Sequence, residues 1–395
     1  MKKSKTLQSN STLINVKCTA CGKTYDPASK PRLCSCGKVL YPEYDLEKAK
    51  ETINKNDMSG RSYDIWRMCE IMPVNKPEFR FSLGEGWTPL LRIHNFGGKI
   101  GLKNLFIKDE GQNPTGTFKS RGLCAAVSKA CELGVKEFVI PSAGNAGAAL
   151  AAYASRAQTT AHIFMPQDAP KLIQGEVKAM GGELVLVDGL ITDAGKIAKK
   201  NAEQHGWFDV STLKEPYRVE GKKTMGLELA EQFNWSLPDV IIYPTGGGTG
   251  IVGMWKAFKE MEILGIIGRE RPKMVSVQTS GCAPIVKAFK EGKTHADFWE
   301  NADTVAGGLR VPAAIGDYLI LNAIRESKGT AISVDDNEVL DNMFELAKTE
   351  GIMLCPEAAA TVAGVKELVS QGLVDQSERV VLFGTGSGFT TPEFW

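Results

Sequence analysis

From about residue 79 the chain alternates two patterns of apolar and polar positions. Short apolar runs at 105–108, 138–141, 161–165, 183–187, 240–243, 274–278 and 379–383 predict strands. Between them, apolar positions at helical spacing predict helices over 146–156, 171–180, 193–205, 250–261, 337–349 and 358–370. Strands that are apolar throughout belong to parallel sheets covered by helices on both faces, so the pattern predicts an α/β fold. Such sheets receive ligands at the carboxyl ends of their strands. The loops leaving strands are therefore the place to look for chemistry, and four of them are unusual.

The first runs Asn113-Pro114-Thr115-Gly116-Thr117-Phe118-Lys119 and sets a lysine at the start of a helix. An ammonium there opposes the helix dipole, a cost that vanishes if the amine is not a free cation. Alone, Lys119 reads as a solvated surface lysine. The second, Ser142-Ala143-Gly144-Asn145, follows a strand and opens a helix, whose free N–H groups suit a carboxylate. Asn145 also suits the ordinary job of an N-cap. The third, Gly246-Gly247-Gly248-Thr249-Gly250, frees the backbone to wrap a phosphate and adds a hydroxyl. Its Gly248, Gly250 and Gly253 match a dinucleotide fingerprint, but the next strand ends at Gln278-Thr279 without the acidic residue a ribose requires. The fourth, Gly384-Thr385-Gly386-Ser387-Gly388, offers hydroxyls on a glycine-flanked turn.

Cysteines add a separate feature. Cys18, Cys21, Cys34 and Cys36 cluster near the start, with Gly22 and Gly37 after the second and fourth, and four thiolates suit tetrahedral zinc. The other five of the nine cysteines are scattered, as expected of reduced thiols in a cytoplasmic protein. A formal net charge of +1 gives no global attraction to nucleic acid or an anionic membrane. No apolar run has the length of a membrane helix, and residues 1–15 have no apolar core of a secretion signal. Fixed structure is expected from about residue 13 onward, after a polar and basic start.

Together the four loops, with Ser82-Leu83-Gly84-Glu85-Gly86-Trp87-Thr88-Pro89-Leu90 ahead of them, resemble the fold-type II pyridoxal-phosphate enzymes, the tryptophan synthase β family. The resemblance runs from about Ser82 to Gly388. It implies two parallel-sheet α/β domains, a large cofactor-binding one of 46–125 and 215–395 and a small one of 126–214. Some members carry a cysteine-rich N-terminal module; here residues 1–45 would form one, zinc-ribbon-like by its own cysteine spacing, with Cys18, Cys21, Cys34 and Cys36 as the metal ligands. It implies pyridoxal 5'-phosphate on Lys119 as a Schiff base, with Phe118 beside the cofactor and Asn145 on its phenolic oxygen. Gly246, Gly247, Gly248, Thr249 and Gly250 would hold its phosphate. Thr385 would face the ring nitrogen, with Ser387 the nearest substitute. Ser142, Ala143, Gly144 and Asn145 would receive the substrate carboxylate. A hydroxyl at the ring nitrogen does not enforce its protonation, which suits elimination and replacement.

The implied substrate is a small amino acid, O-phosphohomoserine, with a homodimer as the assembly. Arg218, Lys222, Lys223 and Arg310 are candidates for its phosphate. Three positions depart from the members acting on that substrate: Ser120 where aspartate is usual, Glu215 near a usual asparagine, and Ser387 for histidine or asparagine. The alternatives are a threonine or serine ammonia-lyase, a related β-replacement enzyme, or a non-catalytic binding protein on a vestigial enzyme body.

Overall fold

The computed structural model describes residues 10–395. Most of the polar start lies outside the described residues, but its end is held. The Ser11 hydroxyl donates to the Met72 carbonyl at 2.6 Å, and buried Thr12 donates its N–H to the Glu70 carbonyl at 2.8 Å.

The strands, in chain order, are β1 (Leu13–Cys18), β2 (Thr24–Tyr25), β3 (Leu40–Tyr44), β4 (Leu90–Arg92), β5 (Leu105–Asp109), β6 (Glu137–Pro141), β7 (Thr160–Pro166), β8 (Glu183–Val187), β9 (Phe208–Asp209), β10 (Val240–Pro244), β11 (Lys273–Thr279), β12 (Thr330–Val334) and β13 (Val380–Gly384). They form three sheets: an antiparallel β2-β1-β3, a parallel β8-β7-β6-β9, and β12-β11-β10-β13-β5-β4, parallel except for its edge strand β4. The α/β expectation holds, and every predicted strand and helix is present with ends within two residues.

The chain packs into two compact units. The first comprises, of the described residues, 10–87, Lys119–Thr224 and Lys259–Ile266, and contains the three- and four-stranded sheets. Its core joins Phe138 and Ile140 of β6 to Leu123, Val127 and Leu150 of the covering helices. The second comprises Thr88–Phe118, Met225–Phe258 and Ile267–Trp395 and is built on the six-stranded sheet. There β10 and β13 are buried along their whole length, as strands covered on both faces must be.

Several elements escaped the sequence pattern. The helix Arg218–Gln232 is the most instructive, because Arg218, Glu220, Lys222, Lys223 and Glu228 are all buried within it. Charges at core positions erase the apolar stripe by which a helix is recognised. Among the described residues no helix is long and apolar enough to cross a membrane.

Candidate active site

Strands β10, β13 and β5 are parallel neighbours in the second unit, so the loops that leave them emerge at one edge of the sheet. The β10 loop leads into the helix Thr249–Ile263. Thr245 closes the strand with an N–H bond to the Val277 carbonyl at 2.8 Å. Beyond it, among the described residues, none accepts a hydrogen bond from the N–H groups of Gly246 through Ile251. Successive free donors at a helix N-terminus, five of the six residues buried, form an anion cradle. The glycines, read above as freedom to wrap a ligand, also answer steric demands. Gly248 has φ +75° and faces Ile320, and a Cβ on Gly250 would lie 1.9 Å from the Tyr243 Oη.

The loops after β5 and β13 are stitched together. Phe118 donates its N–H to the Thr385 carbonyl at 3.0 Å, and Ser387 donates to the Gly116 carbonyl at 2.9 Å. Asn113 anchors the first loop from below, its Nδ2 donating at 2.9 Å to both a carboxylate oxygen and the carbonyl of buried Glu110. The Phe118 ring stands edge-on to Tyr243, centroids 6.2 Å apart. The two hydroxyls differ. Ser387 Oγ accepts from the Phe389 N–H at 3.2 Å and caps the turn that follows. Thr385 is a buried residue, and its hydroxyl makes no hydrogen bond with any described residue.

In the first unit, Lys119 is half-buried and opens the helix Lys119–Glu132. Two devices fix that helix. A Cβ on Gly221 would lie 2.0 Å from the Arg121 carbonyl oxygen, so the helix beginning at Arg218 packs backbone to backbone against it, and Arg121 Nη1 donates to Thr224 Oγ1 at 2.9 Å. The buried carboxylate of Glu85 accepts from Tyr153 Oη at 2.6 Å, Cys124 Sγ at 3.1 Å and the Leu83 N–H at 2.9 Å. Glu85 thus ties the segment before Trp87 to the two helices that begin at Lys119 and Asn145. Burial pushes its carboxyl above the usual range. Sequence reading gave Glu85, Arg121 and Gly221 no role. An acidic residue between two glycines in an otherwise apolar stretch was the available signal for the first.

Asn145 is the first residue of its helix, and the cap position belongs to Gly144. Its side chain, half-buried, makes no hydrogen bond with any described residue, so the ordinary N-cap role does not account for it. Ser142 Oγ, in contrast, is engaged within its own loop: it accepts from Gly147 N–H at 3.0 Å and Gly144 N–H at 3.3 Å and donates to the Gly144 carbonyl at 3.1 Å. That leaves the N–H groups of exposed Ala143 and half-buried Asn145 as open donors.

The cations proposed from sequence separate clearly. Lys223 Nζ is buried between Glu220 at 2.6 Å and Glu260 at 2.8 Å. Arg218 is buried and donates to the Val210 carbonyl at 2.6 Å, and Lys222 is buried. These three serve the core rather than a solvated phosphate site. Arg310 is exposed, and its guanidinium makes no hydrogen bond or ion pair among the described residues. The three departures also find local explanations. Glu215 accepts from the Tyr217 and Arg218 N–H groups at 2.7 and 2.9 Å and caps their helix, Ser120 is buried, and Ser387 caps its turn.

Residues 81–386 match the family model described as pyridoxal-phosphate dependent enzyme. The chain belongs to the pyridoxal-phosphate-dependent enzyme family. It is 37% identical to a threonine synthase of Methanocaldococcus jannaschii, over 95% of this chain and 93% of that one. A threonine synthase of Methanosarcina acetivorans is 36% identical, over 96% and 93%. Among solved structures, a threonine deaminase isoform of Solanum lycopersicum aligns with a TM-score of 0.65 at 22% identity, over 78% of this chain and 86% of that one, a likeness of fold.

The residues fit the family's cofactor. Its phosphate needs several donors at once, and the Gly246–Ile251 N–H groups are free to supply them. Its ring nitrogen needs a polar partner, and the hydroxyl of buried Thr385 is uncommitted among the described residues.

The four N-terminal cysteines converge in the first unit, away in sequence from all of this, and every sulfur lies within 4.8 Å of the others.

Proposed function

We propose that this chain is a threonine synthase, converting O-phosphohomoserine and water to threonine and phosphate. The observation that carries the reading is the 37% identity over 95% of the chain to an enzyme of that name, joined to the free N–H cradle at Gly246–Ile251. Bound, pyridoxal phosphate supplies the electron sink that makes the substrate's Cα and Cβ protons removable. The chain supplies the rest. Lys119 would hold the cofactor through Nζ, and its amine would move protons at the substrate's Cα and Cβ as base and acid. The Gly246–Gly250 loop with Thr249 holds the phosphate of the cofactor. Phe118 lies beside the ring, and Asn145 donates its free amide to the phenolic oxygen. Thr385 offers a hydroxyl to the ring nitrogen. That neutral partner suits loss of phosphate from Cγ and addition of water at Cβ better than transamination. The open N–H groups of the Ser142–Asn145 loop receive the substrate carboxylate, with Ser142 holding the loop in shape. Arg310 meets the substrate phosphate.

A coupled assay tests the assignment. O-phosphohomoserine should yield phosphate and threonine in equal amounts. Arg310→Ala should raise KM for this substrate roughly tenfold or more, the loss expected on removing a charged hydrogen bond. Conversion of threonine to 2-oxobutanoate, with no phosphate released from O-phosphohomoserine, would make the chain an ammonia-lyase instead.

A further inference from the structure

The N-terminal sheet is small, and its fold is organised around sulfur. Cys18 ends β1 and begins the turn Cys18-Thr19-Ala20-Cys21-Gly22, while Cys34-Ser35-Cys36-Gly37 forms a second turn before β3. Both turns have the same plan. The Gly22 N–H bonds the Cys18 carbonyl at 3.2 Å and the Gly37 N–H bonds the Cys34 carbonyl at 2.8 Å, with φ +75° and +80° at the glycines. Cys18 then receives the Lys23 carbonyl on its N–H at 2.8 Å, and Cys34 that of Lys38 at 2.9 Å. Each turn presents two sulfurs to the other.

The sulfur separations are informative. Cys18 lies 3.6 Å from Cys36, Cys21 lies 3.6 Å from Cys34, and Cys21 lies 3.7 Å from Cys36. A disulfide would need about 2.05 Å. Four thiolates about an ion at a Zn–S distance of about 2.3 Å stand roughly 3.8 Å apart, the edge of the tetrahedron. Donors to sulfur complete the picture. The N–H groups of Ala20 and Cys21 approach Cys18 Sγ at 3.5 Å, and Tyr25 Oη donates to Cys34 Sγ at 3.2 Å. Such bonds stabilise sulfur that carries negative charge, and orient it.

From this geometry we propose that Cys18, Cys21, Cys34 and Cys36 hold one zinc ion as a closed structural site. All four positions of the tetrahedron are filled by protein, which leaves no coordination site for a substrate. Zinc suits the place because it imposes no geometry of its own and does no electron transfer. The ion joins the two turns across a module too small to bury much of a core of its own. It also secures the module's attachment. Tyr44, the last residue of β3, donates to Glu220 Oε2 at 2.7 Å, and Lys223 Nζ lies 4.2 Å from the centre of the Tyr44 ring.

The test is made on the full-length, cofactor-loaded enzyme. Elemental analysis should find about one zinc per chain. Titration with an organomercurial and a zinc indicator should release that ion as the four thiols are consumed. Cys34→Ser should reduce the zinc below roughly a tenth of the wild-type content. Protein purified in cobalt should show the visible d–d and thiolate charge-transfer bands of tetrahedral tetrathiolate cobalt. Should Cys34→Ser fail to fold, the wild-type titration and cobalt spectrum decide alone. Wild-type protein refolded with zinc but holding none, stoichiometric iron in its place, or a folded Cys34→Ser enzyme with undiminished zinc would overturn the proposal.

Discussion

Thr385 and Ser387 sit two residues apart on one loop, and sequence alone treats them as substitutes for each other. The structure separates them by what each hydroxyl already does. Ser387 caps its turn with a bond from the Phe389 N–H, whereas Thr385 is buried with its hydroxyl uncommitted among the described residues. Thr385→Val keeps the shape and the backbone bond from Phe118, so its effect should fall on turnover, a drop of about tenfold for one lost hydrogen bond. Ser387→Ala should leave turnover close to wild type and cost about 0.5–1 kcal/mol of stability, as a lost cap does. Steady-state kinetics beside thermal unfolding reads both, and the opposite ordering would return the ring-nitrogen role to Ser387. Asn145 follows the same logic, because it lies one residue past the cap position and its amide makes no hydrogen bond with any described residue.

The elements that sequence revealed are those whose patterns are local. Apolar strands ending in glycine-rich turns, such as β10 before Gly246 and β13 before Thr385, announce both the strand and the loop. Hidden elements have their reasons in three dimensions. The β12 run, Thr330-Ala331-Ile332-Ser333-Val334, mixes polar and apolar residues because it lies at the sheet edge. In the Arg218–Gln232 helix, nothing in the one-dimensional pattern shows that Lys223 will be neutralised by Glu220 and Glu260, or Lys108 of β5 by Glu228 at 2.9 Å. The carboxyl that caps that helix makes a pH prediction. Glu215 is wholly buried, and desolvation pushes its carboxyl up to about 7 from an ordinary 4.5. A carboxyl that binds its proton more tightly folded than unfolded contributes stability at low pH, and that contribution is lost as pH rises through about 7. Glu215→Gln cannot ionise. The stability of wild type relative to this variant should therefore fall between pH 5 and 8, by up to about 3 kcal/mol for a shift of that size. Urea unfolding across that range measures it, and parallel curves for the two proteins would show that Glu215 does not titrate there.

Across the whole molecule, the motifs are distributed between two compact units. Lys119 and the Ser142–Asn145 loop belong to the first, and Phe118, the Gly246–Gly250 loop and Thr385 to the second. The Ser142–Asn145 loop follows β6 of the first unit, and the Gly246–Gly250 and Thr385 loops follow β10 and β13 of the second, the location parallel strands offer for ligands. The fold class and the motif loops were legible because glycine and apolar runs mark them locally. The supports were not, because Glu85, Arg121 and Gly221 join their elements to partners distant in sequence, such as Tyr153 and Thr224. The central claim is that one particular amine carries the cofactor. Borohydride reduction of the loaded enzyme, followed by digestion and peptide mass mapping, tests it most directly. The account predicts a reduced cofactor mass on the peptide containing Lys119, and no label and no turnover in Lys119→Ala. A label on another lysine, or an unlabelled wild-type enzyme, would contradict it.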